Sequence, residues 1–110
     1  MIVDRDGNIT IITQEKASVK TLVYNIEQSY NTYKNYHLIV NLSSIDKITL
    51  QDVIEFLRLS NSHREDKKSF VIVSDKVNLD EMPDEIVVVP TMQEAFDIIE
   101  MEDIERDLGF

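Results

Sequence analysis

The chain contains no cysteine and no tryptophan, and only two glycines and two prolines among 110 residues. Without cysteine there are no disulfides, no thiol catalysis and no zinc–thiolate sites. Two glycines cannot build a phosphate cradle, and no P-loop, G-x-G-x-x-G, G-x-S-x-G or H-x-x-x-H pattern is present. Long apolar runs are also missing, and the N-terminus has no basic segment leading into one, so neither secretion nor membrane spanning is expected. The expected location is the cytoplasm. Basic residues are scarce at one end only. Residues 1–79 carry ten acids and ten bases, whereas residues 80–110 carry eleven acids against Arg106 alone, so the whole net charge of −10 lies there. Direct nucleic-acid binding is disfavoured, because phosphate contacts need clustered bases. The nearest approach, Arg64 with Lys67 and Lys68, is interrupted by Glu65 and Asp66. The acidic segment reads as a solvated helix face or as a docking surface for a basic partner, with Glu102, Asp103 and Glu105 as its candidate residues.

What the chain does have is a βαβ pattern between His37 and Asp75. The cores Leu38-Ile39-Val40 and Phe70-Val71-Ile72-Val73 lack polar alternation, as expected of strands buried on both faces. Between them lies a helical run from about Leu50 to Asn61, the spacing of a right-handed crossover. Before this unit, Ile2-Val3 and Ile9–Thr13 flank Asp6-Gly7 as a hairpin. Asp4, Asp6 and Asn8, with Glu15, imitate a calcium loop, but Ile9 stands where its bend requires glycine. From Ser18, an expected N-cap, Val19, Leu22, Val23, Ile26, Tyr30 and Tyr33 make one stripe of a helix. After it, Ile86–Val89 reads as a further strand, and Thr91 with Glu94 as a capping box opening an acidic helix over about residues 91–108. The inner side of that last helix is expected to comprise Ala95, Phe96, Ile98, Ile99 and Met101, with Ile104 and Leu108 continuing the spacing. The expectation is one α/β domain over 1–110, with a mixed central sheet of about four or five strands and helices mainly on one side.

In the central helix, Leu50, Val53, Ile54 and Leu57 share the face expected to meet the sheet, with Thr49 as N-cap and Asp52 in the first turn. Phe56 and Leu59 fall off that stripe, so they either pack on a neighbouring helix or form an exposed apolar contact site. His37 and His63 bracket the βαβ unit and are expected near opposite ends of the sheet. No catalytic, metal or cofactor constellation can be assembled from these residues.

The run Leu38-Ile39-Val40-Asn41-Leu42-Ser43, the loop residues Ile45 and Ile48, Val53 and Leu57 on the next helix, and Ala95 on the last together resemble a STAS domain. That fold occurs in bacterial anti-sigma factor antagonists and in the cytoplasmic domains of sulfate transporters. The resemblance implies a non-catalytic regulatory module that binds a protein: an anti-sigma-like kinase, a sigma-type factor or a nuclease. It also implies a monomer or weak dimer that needs no cofactor. Asn41 stands where the family has aspartate, and Gln51 stands at the serine that family members phosphorylate, so Asp52 is expected to hold a fixed negative charge there. The implied contact surface comprises Ser43, Ser44, Thr49, Gln51 and Asp52 with Phe56 and Leu59, and phosphate acceptance at Thr49 or Ser43 is the variant of that reading. The tail from Glu100 to Phe110 is similar to the end of small bacteroidete STAS-like proteins that often carry the label ribonuclease Z. Nothing in this chain matches the His-x-His-x-Asp-His motif of that hydrolase, so the label would imply an accessory role.

Overall fold

A computed structural model describes residues 1–16 and 18–109; Phe110, the last residue of the tail resemblance, lies outside them. Strands β1 (Ile2–Asp6) and β2 (Ile9–Thr13) form the expected hairpin, with the positive φ of its two-residue turn on Gly7. Helix α1 (Val19–Gln28) follows, then one turn of helix, α2 (Tyr30–Tyr33), and strand β3 (His37–Asn41). Helices α3 (Leu50–Ile54) and α4 (Leu57–Glu65) lead to β4 (Phe70–Val73). A 3₁₀ turn (Leu79–Glu81) precedes β5 (Val87–Val89) and the long helix α5 (Met92–Asp107). The sheet runs β1-β2-β3-β4-β5, with only the β1–β2 pair antiparallel. The fold is thus α/β with a five-stranded mixed sheet.

Strand alternation divides the core in two. Ile12, Leu38, Val40, Phe70 and Ile72 face α1 to α4, where Leu22, Ile26, Val53 and Phe56 meet them. Ile39, Val71, Val73 and Val89 point the other way and are covered by Ala95 and Ile99 of α5. Burial on both sides is why β3 and β4 carry no polar alternation. The connections between parallel strands all pack on the first face, since Val77, Met82 and Ile86 of the β4–β5 link join that cluster. Only α5 takes the second.

Two helices differ from expectation. The stripe beginning at Val19 breaks at Ser29, whose N–H is shared between the carbonyls of Asn25 and Ile26, although Tyr33 still enters the core. The central helix breaks at Glu55–Phe56, where Phe56 N–H bonds back to the Val53 carbonyl at 3.0 Å. Its buried stripe is Val53, Phe56, Leu59, Ser60 and His63, while Leu50 and Ile54 face solvent. Phe56, with no exposed surface, and Leu59 are therefore core residues and not an exposed contact site. The buried stripe continues through a serine and a histidine, so counting apolar residues alone selects the wrong face.

Candidate functional site

The β3–α3 loop leaves the C-terminal end of the parallel strands, where open α/β sheets place their binding surfaces. Leu42 is held in the core, its N–H bonded to the Val73 carbonyl at 2.9 Å. The Asn41 side-chain carbonyl accepts from both Ser43 N–H (3.1 Å) and Ser43 Oγ (2.7 Å), which fixes the first turn of the loop. Ile45 and Ile48 then pack into the core, so the polar residues between them, Asp46 and Lys47, are held outward, as is Ser44. Thr49 Oγ1 accepts from Asp52 N–H, and Asp52 Oδ2 accepts from Thr49 N–H at 3.0 Å, a reciprocal capping box. Asp52 is thereby spent on the helix start. At the other capping box expected from sequence only one half forms, Thr91 Oγ1 accepting from Glu94 N–H.

The structure therefore brings Ser43, Ser44, Thr49 and Gln51 to one exposed surface with Asp52 at its edge, and removes Phe56 and Leu59 from it. Their place is taken by Leu50 (41% exposed) and Ile54 (36% exposed), one turn apart on the solvent side of α3. The β4–β5 link lies alongside. Lys76 is bonded to Asp75 at 2.6 Å, which raises its pKa, and the Asp46 carboxylate across the gap adds to the rise.

The opposite end of the sheet holds a polar cluster that sequence reasoning did not assemble. A crossover helix runs antiparallel to its strands, so the end of α4 must return to the end where β3 begins. His63 and His37 accordingly lie at the same end of the sheet, not at opposite ends. His63 is fully buried: Nε2 meets the Tyr36 carbonyl at 2.7 Å, and Nδ1 meets the Tyr30 hydroxyl at 2.6 Å. A carbonyl only accepts, so Nε2 carries a proton, and in the neutral ring Tyr30 donates to Nδ1. At His37, Ser69 N–H donates to Nδ1 at 2.9 Å, which leaves the proton on Nε2, 3.0 Å from Asp103. The Ser69 N–H thus holds the His37 ring neutral, and burial favours the neutral form at His63.

Around them, α5 reaches over the strand starts. Glu102 accepts from Arg64 Nη1 (3.1 Å) and Ser69 Oγ (2.6 Å), Arg106 donates to Ser69 Oγ (3.0 Å) and Asp103 (3.2 Å), and Arg64 Nη2 donates to the Phe70 carbonyl. Glu102 is consequently turned inward and paired, whereas Asp103 pairs with Arg106 and His37 while 40% of its side chain stays exposed. Of the three acids expected to form a docking surface, Glu105 faces solvent, Asp103 is partly exposed and ion-paired, and Glu102 is turned into the network. Met101, Ile104 and Leu108 are exposed instead of lining the inner side of α5. The lone base among the acids of the tail was the available clue, since Arg106 completes the internal network.

Both histidine pKa values are lowered, chiefly by burial. At His37 the Asp103 charge opposes the shift while Arg106 and Lys68 add to it; at His63 the Tyr36 carbonyl opposes it. The unfolded chain then binds more protons than the folded one below the ordinary histidine value of about 6.5. Stability is complete above that value and falls as the pH drops through it toward the folded values. Urea midpoints at neutral and mildly acidic pH should therefore decrease on acidification. A constant or rising midpoint would show that the rings are not held neutral.

An α/β protein with an exposed loop and helix start at one end of its parallel strands, and a closed polar network at the other, is the class these observations define. No family model matches the chain, and no curated protein does either. Among the described residues, no helix is long and apolar enough to cross a membrane.

Proposed function

We propose that this protein is a non-catalytic, STAS-like interaction module of the cytoplasm that binds a regulatory protein through the β3–α3 loop and the outer side of α3. The observation that carries this reading is the exposed pair Leu50 and Ile54, set beside Ser43, Ser44, Thr49 and Gln51. Two aliphatic side chains one turn apart are the simplest helical anchor for a partner. The core residues Ile45 and Ile48 below the loop, and the capping box above it, preorganise that surface and lower the ordering cost of binding. Gln51 cannot accept phosphate, so the module binds constitutively at the position where STAS-type proteins switch. The partner is a kinase of the anti-sigma type, a sigma-type factor or a nuclease served in an accessory role.

The rival reading, an acidic helix acting as a charge mimic on a basic partner, is weakened because Glu102 and Asp103 are already paired with Arg64, Arg106, His37 and Ser69. The test is capture of partners by the tagged protein from its own cells. The double substitution Leu50→Ser with Ile54→Ser should abolish capture while shifting Tm by only a few degrees, because both residues are already partly exposed. Undiminished capture by a folded double variant would sink the proposal.

A further inference from the structure

The second face of the sheet is only half covered. Five strands spaced about 4.8 Å apart make a face roughly 20 Å wide, and a helix with its side chains spans about 10 Å, so two helices fill it. The first face has α1 and α4, whereas the second has α5 alone, lying over β3, β4 and β5. Next to α5 runs a groove of about 370 Å³ floored by Ile9, Phe96, Ile99 and Ile104. The register places Ile11 and Ile2 on the same face, and Ile104 and Ile2 remain 53% and 48% exposed. One helix width is missing there.

The rim of this groove has a single sign. Glu100, Asp103 and Asp107 line it on the α5 side, Asp103 being paired with Arg106 and His37. On the strand side, Asp4 and Asp6 pair in register with Ile11 and Ile9 and so share their face. Glu100, Asp107, Asp4 and Asp6 have no ion pair among the described residues. Neighbouring Arg5 belongs to the other face, where it bonds Thr10 and covers the Tyr36 ring.

We infer that this groove receives one amphipathic helix of a partner protein, with aliphatic anchors at helical spacing and Lys or Arg on its flanks. The apolar floor supplies the burial, and the acidic rim selects the sign of the partner. Like charge works against a second copy of this chain and against an anionic membrane. The surface is distinct from Leu50 and Ile54, on the opposite face of the sheet, and stands whether or not that pair binds anything.

The test uses the whole protein and a fluorescein-labelled peptide of about eighteen residues, with Leu at helical spacing on one side and Lys and Arg on the other. Binding is expected by fluorescence anisotropy, with backbone amide NMR shifts confined to β1, β2 and α5. Ile104→Ser should weaken it roughly tenfold or more, and so should Asp4→Lys combined with Glu100→Lys. Because these positions are exposed, the variants keep the fold, which circular dichroism checks. Several results would overturn the inference: equal binding of a scrambled peptide of identical composition, no loss with Ile104→Ser, or shifts centred on Leu50 and Ile54. So would a dimer of the free protein that Ile104→Ser dissolves, or tighter binding to phosphatidylglycerol vesicles than to the peptide.

Discussion

Phe56→Ala should cost about 3–5 kcal/mol, the range for removing a fully buried aromatic ring and leaving its cavity. Phe56 has no exposed surface, and its ring centroid is 6.2 Å from that of Phe70, at the contact between the central helices and β4. For a domain of this size Tm would fall by roughly 10–20 °C, a large part of a stability typically about 5–15 kcal/mol. Leu50→Ala, on the same helical segment but facing solvent, should cost less than about 1 kcal/mol. Urea unfolding of the two variants checks the contrast directly. A Phe56→Ala loss no larger than that of Leu50→Ala would mean that the helix presents the other face to the sheet.

Glu102→Ala is the second substitution with a large expected effect, on the order of 2 kcal/mol. It removes the acceptor of both Arg64 Nη1 and Ser69 Oγ in a site where the Glu102 and Arg64 side chains are 19% and 25% exposed. The Arg64 guanidinium already has a buried Nε without a partner, so it has little hydrogen bonding to spare. Partial exposure keeps the loss below that of a fully buried ion pair. Glu105→Ala, three residues on but facing solvent, should stay within about 0.5 kcal/mol of the parent. A double-mutant cycle between Glu102 and Arg64 should show coupling that neither single substitution predicts. Equal effects of Glu102→Ala and Glu105→Ala would show that the network contributes no stability.

The β3 and β4 strands and their burial on both faces were legible in the sequence because unbroken apolar runs have few other uses in a short chain. Of the surface that the family resemblance implied, the exposure of Ser43, Ser44, Thr49 and Gln51 agrees with the structure, with Ile45 and Ile48 packed beneath them, whereas Phe56 and Leu59 do not belong to it. The face of the central helix was not legible. Its phase is set by Ser60 and His63, whose burial depends on contacts made far along the chain: His63 is satisfied by Tyr30 and the Tyr36 carbonyl. The role of Glu102 was hidden for the same reason. Its partners Arg64 and Ser69 lie more than thirty positions away, and solvent-like spacing on α5 looks identical whether an acid meets water or an arginine. Charge patterns report composition locally, whereas pairing is decided by topology.

Because α5 comes after every strand it covers, the order of synthesis has a cost. While the ribosome is still adding residues beyond Val89, one side of the nascent sheet shows Ile39, Val71 and Val73 to water. A chain stalled or cleaved before Thr91 would keep that side bare and join others like it, a hazard that ends when Ala95 and Ile99 dock.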